Sequence, residues 1–216
     1  MEYYDLHTHS IFSDGELVPS EMARRMENAG VSGFAITDHA DFSNISWVMS
    51  RLRELQNWRD DYGVKILLGV EITHVPPKLI GKAVELAWKE GAEIVVVHGE
   101  TLAEPVKEGT NEAAIESGAN VLAHPGIVDR TLAEKAEDSG IYLEISARKG
   151  HCLGNGCVAR LLSYVDIVVN TDMHSPSDII TPETAFKICL AAGISKPEVI
   201  LESNAKLFRN LWKAKK

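Results

Sequence analysis

A chain of 216 residues with 45% hydrophobic and 25% charged side chains has the make-up of a globular protein with a core of useful size, and one domain over residues 1–216 is expected. Apolar runs such as residues 94–97 are too short to span a bilayer, and residues 1–5 do not open a secretory signal, so a cytoplasmic protein with no membrane partner is expected. The net charge of -9 argues against an extended nucleic-acid footprint, which needs clustered Lys and Arg, and the basic cluster at 209–216 reads as a solvated helix end.

In chain order, short runs rich in Val and Ile alternate with longer amphipathic stretches. Strands are predicted over 3–8, 33–37, 65–72, 93–97, 120–123, 141–145 and 166–171. Helices are predicted between and after them, over 19–29, 45–62, 78–90, 111–117, 132–138, 157–163 and 182–192, with a last helix at 204–213. Several of these helices run into a glycine (Gly30, Gly63, Gly91, Gly118, Gly140, Gly193), the residue that best ends a helix. Seven β-then-α units define a parallel α/β sheet, either open or closed into a (β/α)7 TIM-like barrel. Three cysteines (Cys152, Cys157, Cys189) cannot all pair, in keeping with a reducing compartment.

Chemistry favours the closed form. Six of the eight histidines fall at predicted strand ends, each near a carboxylate: His7 and His9 with Asp14, His39 with Asp38, His98, His124, and His174 with Asp172; Glu71 ends a further strand. Imidazole and carboxylate are the ligands of hydrolytic divalent metals, and only a closed barrel turns every strand end toward one mouth. His7 and His9 are two apart, so both leave one face of a strand; Asp172 and His174 repeat that spacing on the last strand, which in a closed barrel pairs with the first. Asp38 and His39 are adjacent, so one of them faces away and Asp38 is expected to orient a ligand from behind. Glu71 lies in an apolar run where a bare carboxylate is costly, and a cation would remove that cost. Glu144 is expected to point into the barrel.

H-x-H followed by Ser-Asp-Gly, then Thr-Asp-His, internal histidines and D-x-H resembles the PHP (polymerase and histidinol phosphatase) superfamily, from Asp5 to about His174. The resemblance implies a distorted seven-stranded barrel with a trinuclear centre of Zn, Mn or Fe. It implies that His7, His9, Glu71 and Asp172 hold one cation, that Glu71 bridges to a second held with His98 and His124, and that Asp14, His39 and His174 hold a third.

The expected function is metal-dependent hydrolysis of a phosphate monoester, histidinol phosphate being what the family name suggests, with water activated between cations and Glu71, Asp172 and Arg148 in catalytic roles. Arg148, Lys149 and His151 follow the sixth strand at the same end of the barrel; they read either as a solvated basic loop or as phosphate contacts, Arg148 having the planar fork suited to that anion. His74, beside Val75-Pro76-Pro77, reads as a loop residue. A phosphodiesterase or exonuclease acting on nucleotides is the second reading, and a non-catalytic barrel subunit of an RNA-processing assembly the third. The sequence carries no signal for oligomeric state.

Overall fold

The computed structural model describes residues 1–214, which leaves the last two residues of the basic cluster at 209–216 outside the described residues. Seven parallel strands, β1 (Tyr4–Thr8), β2 (Gly33–Ala40), β3 (Lys65–Ile72), β4 (Ile94–His98), β5 (Val121–Ala123), β6 (Tyr142–Ser146) and β7 (Ile167–Asn170), lie side by side in chain order. Helices α1 (Pro19–Asn28), α2 (Ile45–Arg53), α3 (Pro77–Lys89), α4 (Thr110–Ile115), α5 (Arg130–Ser139), α6 (Asn155–Ala159) and α7 (Pro182–Ala191) follow the successive strands, and α8 (Pro197–Ala214) ends the described chain. The closed arrangement of the two that alternation allowed is the one formed.

Strand alternation divides the core in two. Phe34, Ile36, Ile66, Leu68, Val70, Val95, Val97, Leu143, Ile145, Ile167 and Val169 pack with the helices in the large cluster. Leu6, Ala35, Leu67, Ile94, Val96, Val121, Ala123, Tyr142 and Val168 form a smaller cluster inside the barrel, with Ala205, Leu207 and Phe208 of α8. Phe208 plugs the end opposite the strand C-termini, 4.6 Å from the Tyr4 ring. Gly33 makes room for it, since a β-carbon there would lie 2.7 Å from the Phe208 ring.

The barrel does not close by a regular ladder. The end of β1 and the segment just past β7 meet at one bridge, Thr8 with Met173, flanked by the His9 N–H donating to Met173 O (2.8 Å) and the Asp172 N–H donating to His7 O (2.9 Å). Below that point side chains substitute for backbone. Asn170 Oδ1 accepts the Leu6 N–H (2.9 Å); Asn204 Nδ2 of α8 donates to the Tyr4 and Val169 carbonyls (2.8 and 2.9 Å), and its Oδ1 accepts the Val169 N–H (2.9 Å). The first and last strands are neighbours, as expected, but the regular pairing expected of them is confined to their C-terminal tips.

Two element boundaries depart from expectation for visible reasons. The helix predicted over 45–62 stops at Arg53 and tightens into 3-10 turns at Glu54–Asn57 and Arg59–Asp61. That path carries the Arg59 guanidinium inward, where Nη1 and Nη2 grip Glu93 at 2.6 and 2.7 Å. The last helix begins at Pro197 rather than 204, because Asn204, a weak helix former, sits mid-helix with its amide satisfied by the barrel seam.

Candidate metal centre

Each inward-facing row of side chains runs from apolar residues up to a polar one at the strand's C-terminal end: Ala35, Thr37, His39 on β2; Leu67, Gly69, Glu71 on β3; Ile94, Val96, His98 on β4; Val168, Asn170, Asp172 on and just beyond β7. On β1 the parity fails, since Leu6 and His7 are consecutive and both serve the interior. The register irregularity between Asp5 and Thr8 is a bulge that re-aims the strand and brings His7 and His9 inward together. Backbone strain collects at the same mouth. His74 (φ 53°), His124 (φ 28°) and Asp172 (φ 53°) are the non-glycine residues with positive φ among the described residues, a conformation that costs about 1–3 kcal/mol each.

The side chains converge. His7 Nε2 lies 3.1 Å from His9 Nε2 and 3.3 Å from Glu71 Oε1. Asp172 Oδ1 is 3.2 Å from His9 Nε2, and Asp172 Oδ2 is 3.6 Å from His124 Nε2, which in turn is 3.6 Å from Glu71 Oε1. His174 Nε2 is 3.3 Å from His39 Nε2 and 3.1 Å from Asp14 Oδ1. His39 Nδ1 is 2.6 Å from Glu71 Oε2 and 2.7 Å from Thr73 Oγ1. Donor atoms within 4.8 Å of one another fall into overlapping groups: His9, Asp14, His39 and His174; His7, His9 and Asp172; His7, Glu71 and His124; His98, His124 and His151; and His74, His98 and Glu104.

Partners behind the donors fix their orientation. His7 Nδ1 donates to Glu144 Oε2 (2.9 Å), and that oxygen also accepts from Asn170 Nδ2 (2.8 Å), so the Nε2 lone pair of His7 faces the cluster. His98 Nδ1 donates to Gly99 O (3.1 Å), with the same effect. Asp38, whose carboxyl is pushed up by burial against the pull of its Ser10 and Ser13 hydrogen bonds, accepts from the Ser10 N–H (2.8 Å), Ser10 Oγ (2.7 Å) and Ser13 Oγ (2.7 Å). It thereby pins the loop that carries Asp14. Gly15 is required in that loop, because a β-carbon would meet His9 O at 2.3 Å.

The electrostatics show a cluster that protons alone do not balance. Burial depresses His9 and His124 well below the usual imidazole range, helped by His39 and His98 respectively. Burial also opposes charge on His7, but Glu144, Glu71 and Asp172 together carry it well above that range. Burial raises Asp172 to about 7 even with His7 beside it, whereas His7 and His39 overcome burial to hold Glu71 low. Glu71 Oε1 and Asp172 Oδ1 have no hydrogen-bond partner, although His7 lies at ion-pair distance from each. Two buried carboxylate oxygens without a hydrogen-bond partner are expensive. Donors 2.0–2.2 Å from a shared tetrahedral cation stand about 3.4 Å apart, close to the 3.1–3.7 Å separations of the His7, His9, Glu71 and Asp172 donors. Divalent cations fit this donor set, and the overlapping groups suit more than one.

All nine donors expected from the sequence lie at this mouth. His98, however, turns toward Glu104 (Nε2 to Oε2, 3.2 Å) rather than toward Glu71. Arg148 is docked on Asp172: its Nη1 donates to the Asp172 carbonyl (3.0 Å) and rests against His174 Nδ1, and its Nε is 3.7 Å from Asp172 Oδ2. Lys149 is exposed. His151 is no solvated loop residue but buried, its ring 4.1 Å from that of His124. Sequence reasoning missed Thr73 and Glu104 altogether and gave His74 no part, though it stands 3.1 Å from Glu104 Oε2. The position of His74 three past Glu71 was the one available signal; Glu104 sits in a loop with no pattern.

A parallel barrel with imidazoles and carboxylates gathered at its mouth defines a class of metal-binding α/β proteins. The chain belongs to the PHP domain family, whose model matches residues 5–211. It is 44% identical over 203 residues, 91% of its length and 92% of the other's, to an uncharacterized protein of Methanocaldococcus jannaschii. It is 23% identical to ribonuclease P protein component 3 of Methanosarcina barkeri, covering 92% of this chain and 84% of that one. Among solved structures, a protein of Listeria monocytogenes assigned as a histidinol phosphatase shares the fold, with a TM-score of 0.62 at 12% identity over 84% of this chain and 98% of that one. Among the described residues, no helix is long and apolar enough to cross a membrane.

Proposed function

We propose that the chain is a metal-dependent phosphoesterase that hydrolyses phosphate monoesters of small metabolites, histidinol phosphate being the type. The observation that carries this reading is the pair of buried carboxylates, Glu71 and Asp172, each ringed by imidazoles and each left with an unpartnered oxygen. In this reading three divalent ions (Zn, Mn or Fe) are held: one by His7, His9, Glu71 and Asp172, one by Glu71, His98 and His124, one by Asp14, His39 and His174. When bound, such ions lower the pKa of water and draw charge from phosphoryl oxygens. The chain's own residues do the rest. Glu144 keeps His7 in the tautomer that presents Nε2, Asp38 holds Asp14 in place, and Arg148 fixes the strained Asp172 peptide while its remaining N–H groups and Lys149 meet the phosphate. His151, a buried imidazole lowered by that burial with Nδ1 unpartnered, is neutral near pH 7 and contacts the substrate side of the site.

The likeness to a ribonuclease P component favours a second reading, a non-catalytic subunit of an RNA-bound assembly. Nine filled donor positions and the charge of -9 weigh against it. The test has two arms: elemental analysis of protein purified in metal-free buffers, and a screen of phosphorylated metabolites, a nucleoside bisphosphate and single-stranded DNA with Mn, Zn and Fe supplied separately. Glu71→Gln is expected to lose bound metal and most turnover with the fold intact. Unchanged metal content and rate in that variant would end the reading.

A further inference from the structure

We infer that Glu104 is the subsite for a positively charged leaving group, so that the phosphate monoesters taken at this mouth are those of short amino alcohols. This rests on the phosphoesterase reading above and names the substrate class within it. Glu104 lies at the mouth but outside the nine donors assigned to cations, and it places negative charge where an anionic substrate must enter. Its partners are imidazoles: His98 Nε2 and His74 Nε2 at Oε2 (3.2 and 3.1 Å) and His151 Nε2 at Oε1 (3.3 Å). Among the described residues, no Lys or Arg lies at ion-pair distance from it. A carboxylate offers about four acceptor positions. His98 serves a cation in the reading above, which leaves Glu104 two imidazole donors and open positions on a side chain about two-fifths exposed. A carboxylate with no cationic partner repels a phosphate dianion, so it favours a substrate that brings a positive charge of its own and rejects one that does not.

The carboxylate is held in place and stands close to the phosphate-binding residues. Glu100 and Asn111 exchange hydrogen bonds, N–H to Oδ1 and N–H to Oε1, each 2.9 Å, and Asn111 Nδ2 donates to Pro125 O (2.8 Å), which anchors the loop that carries Glu104. That loop packs on the one carrying Arg148 and Lys149, since a β-carbon on Gly150 would lie 3.2 Å from that of Ala103. His151 joins the two loops. Ionised Glu104 only accepts, so the His151 Nε2 that faces it carries the proton, and Nδ1, buried and unpartnered, stands 4.0 Å from Asp172 Oδ2. In the neutral ring Nδ1 is an acceptor and cannot donate to a phosphate; the ring orients Glu104 instead. One imidazole therefore separates Glu104 from Asp172, against which Arg148 is docked with its Nε 3.7 Å from Oδ2. A short carbon chain joins a phosphate at Arg148 to an ammonium at Glu104. A nucleotide, whose leaving group carries no such cation, meets the same carboxylate unpaired.

The test compares kcat/KM for aminoethyl phosphate against propyl phosphate, and for aminopropyl phosphate against butyl phosphate, pairs of matched length, in the full-length chain and in Glu104→Gln. The unaltered chain is expected to favour the amine of at least one pair by about tenfold or more, the low end of what a hydrogen bond to a charged group gives. In Glu104→Gln that preference collapses, the amine esters losing rate and the alkyl esters gaining it, while elemental analysis counts the same ions as in the unaltered chain. A packing role alone would lower all four rates together. Hydrolysis without an amine preference, a preference that survives in Glu104→Gln, or an ion lost by that variant would each refute the subsite. Isothermal titration calorimetry with aminoethylphosphonate and propylphosphonate, which are not hydrolysed, separates the subsite from the reading it rests on. An amine preference in binding that Glu104→Gln abolishes, with no ester turned over, would overturn the phosphoesterase reading and leave the subsite standing; no preference in either assay refutes it.

Discussion

Below its bridged tip the seam between the first and last strands is closed by side chains, and Asn204 serves the most backbone groups there, so Asn204→Leu is the sharpest test of how the barrel closes. In the native chain Asn204 satisfies three backbone groups, the Tyr4 and Val169 carbonyls and the Val169 N–H, and also donates to Asn170 Oδ1 (3.1 Å). Leucine keeps the branched shape and heavy-atom count, is no smaller than asparagine and has a better helix propensity, so neither a cavity nor α8 itself accounts for the loss. Three buried backbone groups lose their partners at about 1–3 kcal/mol each. With partial relaxation the total is about 3–6 kcal/mol, a large share of the roughly 5–15 kcal/mol by which a domain is stable. Urea denaturation followed by tryptophan fluorescence and circular dichroism measures it. A midpoint shift equivalent to less than about 1 kcal/mol would refute the reasoning and show that water, or β1 and β7 themselves, can close the gap.

Glu144→Gln should weaken ion binding about 10- to 100-fold, because the amide no longer fixes His7 by charge; competition with a metal indicator reads it, and equal affinity would deny Glu144 that role. Burial raises Asp5 from 3.8 to about 6 despite its hydrogen bonds from Thr171. The folded protein therefore holds that proton more tightly than the unfolded chain, and the stability it contributes is full below pH 3.8 and lost as pH rises through 6. In metal-free protein Asp5→Asn should accordingly gain on the unaltered chain by about 3 kcal/mol between pH 4 and 7, and parallel stability curves would contradict this. The Cys189 thiol, buried in the core and pushed up to about 12 by that burial, should resist iodoacetamide in the native state while exposed Cys152 is alkylated, as peptide mass spectrometry would show. Gly15→Ala should displace the Asp14 loop and lower both stability and metal affinity, unless the chain can move the added carbon away from His9 O.

The barrel and its mouth were legible in the sequence because both are written in short-range code. Strand period, helix period and glycine caps mark the seven units, and a donor at the C-terminal end of a strand has one place to point once the sheet closes. Legibility ended where the structure depends on contacts between distant segments. Nothing near Asn204 announces that its amide completes a sheet some 200 residues away, and the break in α2 follows from Arg59 reaching Glu93. The inward pair His7 and His9 was read from spacing alone, yet the parity of β1 forbids it without the bulge between Asp5 and Thr8. Glu104 shows the limit most clearly. A glutamate in an irregular loop, it has no period, cap or motif, and its meaning lies wholly in the three imidazoles that strands β4 and β6 and the turn after β3 bring to it. The strain at His74, His124 and Asp172 argues the same way. A backbone held in a costly conformation at three points of one mouth is maintained by the groups those residues face, and those groups are the donors.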